Sequence, residues 1–68
     1  MPFIDVTIGL GRSPEQIRSL IHELTEAAHR AIEAPKDNIR VVVREVPETH
    51  WAAGGVTIAE RRAARWSE

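Results

Sequence analysis

The stretch FIDVTIGLGRSPEQI, residues 3–17, decides how this chain folds. Its first six residues alternate, Phe3, Asp5 and Thr7 on one side and Ile4, Val6 and Ile8 on the other, which is the period of a strand with two unlike faces. The GLG of residues 9–11 ends that strand. Ser13-Pro14-Glu15-Gln16 then supplies a helix start. Ser13 serves as N-cap, Pro14 sits at the first helical position where its missing N–H costs nothing, and Gln16 completes a capping box.

Downstream, Ile17, Leu20, Ile21, Leu24, Ala27, Ala28, Ala31 and Ile32 recur at three- and four-residue steps, so one apolar stripe faces a sheet. Pro35 disfavours helical geometry in the residue before it and is expected to stop the helix. Residues 39–46 read as a second, β-branched strand with Ile39, Val41 and Val43 on one face and Arg40, Val42 and Arg44 on the other. Strand, long helix, strand is a βαβ unit with parallel strands and a right-handed crossover. In the remaining residues, Gly54-Gly55 between WAA and VTI marks a small hairpin, followed by the charged tail AERRAARWSE. The expected fold class is α/β (α+β), one βαβ unit with a C-terminal hairpin, in a single domain over residues 2–68.

Sixty-eight residues are few, and a chain of about 60 buries only about 60% of the surface it exposes when unfolded. With no cysteine, neither disulfides nor a Cys-containing zinc site can help, and the composition fits a reducing compartment. Nine Lys+Arg against ten Asp+Glu leave a net charge of −1, without the basic field that drives sequence-independent nucleic-acid binding. No 18 apolar residues run together, and no basic segment followed by an apolar one opens the chain. The expectation is a cytoplasmic protein with neither nucleic-acid nor membrane partners. Two strands and one helix leave the Arg40-Val42-Arg44 face and the sheet edges uncovered, so a symmetric homo-oligomer is the natural completion.

Three positions carry candidate chemistry. Arg12 lies just ahead of a helix N-terminus, where free N–H groups and the helix dipole favour an anion. Arg40 lies near the start of the second strand, and two guanidinium forks could hold a dicarboxylate or keto acid at both ends. Salt bridging at the surface or an interface is the competing reading of both. Pro2 stands directly behind the initiator methionine. Proline is tolerated as the first residue of a strand, but with Met1 removed it also becomes a secondary amine with a free lone pair. Nearby guanidinium groups and removal from water would favour its neutral, basic form.

Other patterns are weaker. His22, Glu26 and His29 share a helix face at a spacing that could bind a metal, yet among Glu23 and Arg30 they read better as a solvated face. GLGRSP has the outline of a dinucleotide fingerprint, but Pro14 stands where the third glycine belongs. No metal and no cofactor are expected.

MPF at the start, GRS at residues 11–13 before a long amphipathic helix, IRVVV from Ile39, and HWAAGG at residues 50–55 together resemble the 4-oxalocrotonate tautomerase family. The likeness runs through nearly the whole chain in order. It implies a βαβ protomer that pairs into a dimer with a four-stranded sheet and assembles as a hexamer, a trimer of dimers. The family's amino-terminal proline, its general base, would be Pro2. Its two arginines match Arg12 and Arg40, which would bind substrate carboxylates, and Trp51 matches the aromatic residue walling the site. Different subunits contribute these groups in the family. The implied reaction is cofactor-free isomerisation of an unsaturated 2-hydroxy-dienoate to its conjugated 2-oxo acid, as in aromatic hydrocarbon catabolism. Ala52 and Ala53 follow Trp51 where dehalogenating relatives carry a water-activating glutamate, which favours tautomerisation over hydration. Arg61, Arg62, Arg65 and Trp66 extend beyond the shorter members and are expected to serve oligomer packing or a solvated helix end. The rival reading is a non-catalytic, oligomeric small-anion-binding module on the same fold.

Overall fold

A computed structural model describes residues 1–66, the Arg65 and Trp66 side chains excepted. The readings made of those two side chains therefore lie outside the described residues.

Strand β1, Phe3–Gly9, runs parallel to β2, Arg40–Val46, in the register Phe3 to Arg40 through Gly9 to Val46. The ladder continues past both ends, from the Arg40 N–H to the Pro2 carbonyl at 3.0 Å and from the Leu10 N–H to the Val46 carbonyl at 2.9 Å. Alternation decides the faces as expected: Ile4, Val6, Ile8, Val41 and Val43 are half-buried towards the helix, while Phe3, Asp5, Thr7, Arg40, Val42 and Arg44 are exposed. Ile39 ends a short 3₁₀ turn, Lys36–Asn38, rather than opening β2, and its own N–H bonds the Lys36 carbonyl at 3.0 Å. Among the described residues it is the one buried hydrophobic residue, 8% exposed.

Helix α1, Pro14–Ile32, links the two strands. Its capping box is reciprocal: the Gln16 N–H donates to Ser13 Oγ at 3.1 Å, and the Ser13 N–H donates to Gln16 Oε1 at 3.0 Å. The helix closes two residues earlier than Pro35 alone requires. Glu33 caps it in the left-handed region at φ 56°, with its N–H on the His29 carbonyl. The apolar stripe is also only partly used, because Ile17, Leu20, Ile21, Leu24 and Ala28 are half-buried whereas Ala27, Ala31 and Ile32 remain exposed. Two strands about 4.8 Å apart are too narrow to cover a stripe of roughly 100°.

After β2, a second 3₁₀ turn, Glu48–His50, leads into β3, Ala52–Ala53, and β4, Val56–Thr57. Gly54 and Gly55 join these antiparallel strands at φ 59° and 80°, the two positive angles that a two-residue hairpin turn needs. The charged tail is a helix, α2, Ile58–Trp66, which begins one residue after β4's Thr57 rather than continuing the strand. A second capping box starts it, with Thr57 N–H on Glu60 Oε1 at 2.9 Å and Glu60 N–H on Thr57 Oγ1 at 3.0 Å.

The hairpin and α2 pack chiefly on the 3₁₀ turn before them, and the chain is elongated, 50 × 25 × 16 Å. Its radius of gyration is 15.9 Å, against about 11 Å for a compact chain of this length. Its surface of 5349 Å² exceeds by about 1,000 Å² that of a compact protein of the same mass, more than one side of a standard protein interface. Phe3 and Val42 stand exposed on the open sheet face, at 61% and 37%. Asp5 and Arg44 form a two-pronged ion pair on that face, at 2.9 and 3.2 Å, and the carboxylate raises the guanidinium pKa. No helix among the described residues is long and apolar enough to cross a membrane.

Candidate active site

The four residues singled out in the sequence fall into two groups at opposite ends of the strands. Pro2 and Arg40 are at one end. The Pro2 carbonyl accepts the Arg40 backbone N–H, and Arg40 Nη1 donates to the Asp37 carbonyl at 2.7 Å, which turns the guanidinium back over the 3₁₀ turn. One donor is thereby engaged, and the fork keeps others for a ligand. Met1 is 84% exposed beside them.

Arg12 and Trp51 are at the other end, where they share an open groove of about 720 Å³. Gly11, at φ 123°, turns the chain out of β1 so that Arg12 precedes the helix cap. Ile8, Leu10, Ile17, Leu20 and Ile58 give the groove an apolar floor, and Gln16 adds a polar side chain. Trp51 is 37% exposed and is held by its own carbonyl, which accepts the Ile58 N–H at 2.9 Å. A guanidinium at a helix N-terminus beside an indole wall and an apolar floor suits a flat, unsaturated carboxylate.

Across seven strand residues at about 3.3 Å each, the two groups lie roughly 20 Å apart within one protomer. One copy does not bring Pro2 to Arg12.

Two further charged residues line the groove and were not singled out for it. Glu48 comes from the 3₁₀ turn and Arg62 from α2, and they form an ion pair at 3.0 Å. No local pattern joins positions separated by a hairpin, although the S/T-x-x-E signal at Thr57 and Glu60 would have located the helix that carries Arg62. On α1, the helix face of His22, Glu26 and His29 is occupied otherwise. Lys36 Nζ lies 2.6 Å from Glu26 and holds its carboxyl below the usual range, and His29 Nδ1 donates to the Ala34 carbonyl at 2.8 Å. Among the described residues no three His, Asp or Glu side chains gather as a metal site would require.

Known proteins resemble this chain in fold and sequence. The family model for tautomerase enzymes matches residues 2–61. A probable tautomerase of Ralstonia nicotianae is 45% identical over 56 residues, which is 82% of this chain and 80% of that protein. The 2-hydroxymuconate tautomerase of Pseudomonas putida is 42% identical over 55 residues, 81% of this chain and 87% of the relative. Among solved structures, TomN, a 4-oxalocrotonate tautomerase homologue of the tomaymycin biosynthetic pathway, superposes with a TM-score of 0.89 at 45% identity, covering 91% of this chain and 95% of its own. A heterohexameric 4-oxalocrotonate tautomerase from Chloroflexus aurantiacus gives 0.84 at 40% identity, covering 88% and 97%.

Proposed function

This chain belongs to the tautomerase family and is an isomerase, and on that premise we propose that it converts an unsaturated 2-hydroxy-dienoate of the 2-hydroxymuconate type into the conjugated 2-oxo acid. With Met1 removed, the Pro2 nitrogen takes the proton from the 2-hydroxyl group and returns one to a carbon of the diene. No electrons leave the substrate, and the product is an isomer. The exposure of Met1 leaves the bond to be cut open to a peptidase. Pro2 meets β2 through its carbonyl alone, so freeing its nitrogen costs no ladder bond.

Arg12 and Arg40 hold the carboxylates, and one of them draws electron density towards the 2-oxo end as charge develops there. Trp51 excludes water from the diene, which favours a neutral proline nitrogen.

The observation that carries this reading is the separation of the Pro2 end of β1 from the Arg12 end. When two protomers pair antiparallel along their β1 edges, the start of one strand lies beside the finish of the other, and Pro2 of one copy meets Arg12 and Trp51 of its partner. The resulting four-stranded sheet buries part of the surplus surface, and three such dimers give a homohexamer. The heterohexameric relative and the exposed Phe3 and Val42 support that assembly. A relative named 2-hydroxymuconate tautomerase supports a role in aromatic hydrocarbon catabolism.

The test begins with intact mass, to establish that Met1 is gone, followed by a spectrophotometric enol-to-ketone assay on 2-hydroxymuconate. Pro2→Ala is expected to lose about 100-fold or more in kcat, the scale of a general base. Equal rates for the trimmed wild-type protein and Pro2→Ala would remove Pro2 from the chemistry.

A further inference from the structure

We propose that Arg62 determines how well the Arg12 groove accepts a carboxylate, by neutralising Glu48 at its wall. The inference rests on the groove's role as the substrate site. Glu48 is only 31% exposed in its side chain and lines the same groove as Arg12, where an unpaired carboxylate repels an anionic ligand and competes for the Arg12 guanidinium. Arg62 Nη2 sits 3.0 Å from Glu48 Oε2 and cancels that charge. A groove that would otherwise hold one cation and one anion thus keeps the net positive charge an anion needs.

The pair is not required merely to fasten α2. That helix is already tied down by the Thr57–Glu60 capping box, by the Ile58 N–H on the Trp51 carbonyl, and by Arg61 Nη2 on the Ala53 carbonyl at 3.2 Å. Neighbouring arginines therefore divide the work: Arg61 holds the hairpin, and Arg62 turns into the groove. The match to the family model ends at residue 61, so Arg62 is the first residue of α2 outside it.

Binding of cis,cis-muconate, a six-carbon dicarboxylate with no hydroxyl group to tautomerise, is measured by calorimetry on the trimmed oligomer. The readout does not depend on turnover. Arg62→Ala is expected to weaken binding by roughly fivefold to tenfold, the scale of one unscreened surface charge pair. Arg62→Lys keeps most of the affinity, and the double variant Glu48→Gln with Arg62→Ala returns it to near the wild-type value. Glu48→Gln alone, which leaves Arg62 in place, tightens binding several-fold and decides the matter even if Arg62→Ala disturbs assembly. Unchanged or weaker binding in Glu48→Gln overturns the proposal, as does a double variant no better than Arg62→Ala. Loss of turnover in Pro2→Ala with this binding pattern intact separates the fate of the proline base from that of the charge pair.

Discussion

Two inactive variants of this chain should restore activity to each other. Pro2→Ala removes the proposed base and Arg12→Ala the proposed carboxylate clamp, each expected to abolish most turnover when present in every protomer. Loss of a charge-assisted clamp is worth about 2–5 kcal/mol. Because roughly 20 Å of strand separates Pro2 from Arg12 in one copy, the proposed centre would draw them from two copies. In a 1:1 mixture unfolded and refolded together, half the pairs contain both variants. Each mixed pair has one centre with Pro2 and Arg12 both intact and one with neither. About a quarter of all centres should then work, since a two-fold pair makes its two centres reciprocal. The assay is the specific rate of enol-to-ketone conversion after co-refolding, beside the same variants refolded singly and then combined. A co-refolded mixture no faster than the average of its components would mean that one chain supplies both groups, and the composite centre would be wrong.

Two more outcomes follow from the helix starts. Ser13→Ala removes the hydroxyl that accepts the Gln16 N–H and should cost about 1 kcal/mol, read from chemical denaturation at fixed protomer concentration, with an unchanged midpoint counting against the cap. The Glu60 carboxyl is held below its ordinary value by hydrogen bonds from the Thr57 backbone and side chain, so its support of α2 is complete above the unfolded value of about 4.3 and fades as pH falls through the lower folded value. Helical circular dichroism should drop in that acid range in the wild-type protein and not in Glu60→Gln; identical profiles would assign the loss elsewhere.

What the sequence discloses depends on how local its cause is. The start of α1 is legible because its four determinants are contiguous, and the Gly54-Gly55 turn because two adjacent positive φ angles admit few other residues. The start of α2 carries the same kind of signal at Thr57-Ile58-Ala59-Glu60, but reading VTI as one strand hides it. The end of α1 is less legible, since Glu33 adopts a left-handed conformation that its side chain does nothing to announce. Arg12, Arg40 and Pro2 are candidates from their places in the pattern, and Trp51 only through the family resemblance. Their division between two ends could not, because it depends on which strand end each loop leaves. Glu48 and Arg62 escaped altogether, as only the folding back of the hairpin makes them neighbours.

Under the proposed pairing, the open edge of β1 makes catalytic output a function of the protein's own abundance. On dilution below the point where copies part, each molecule would keep half a centre and turn over nothing, so specific rate should climb with concentration before it levels. Expression level would then act as a threshold as well as a dose.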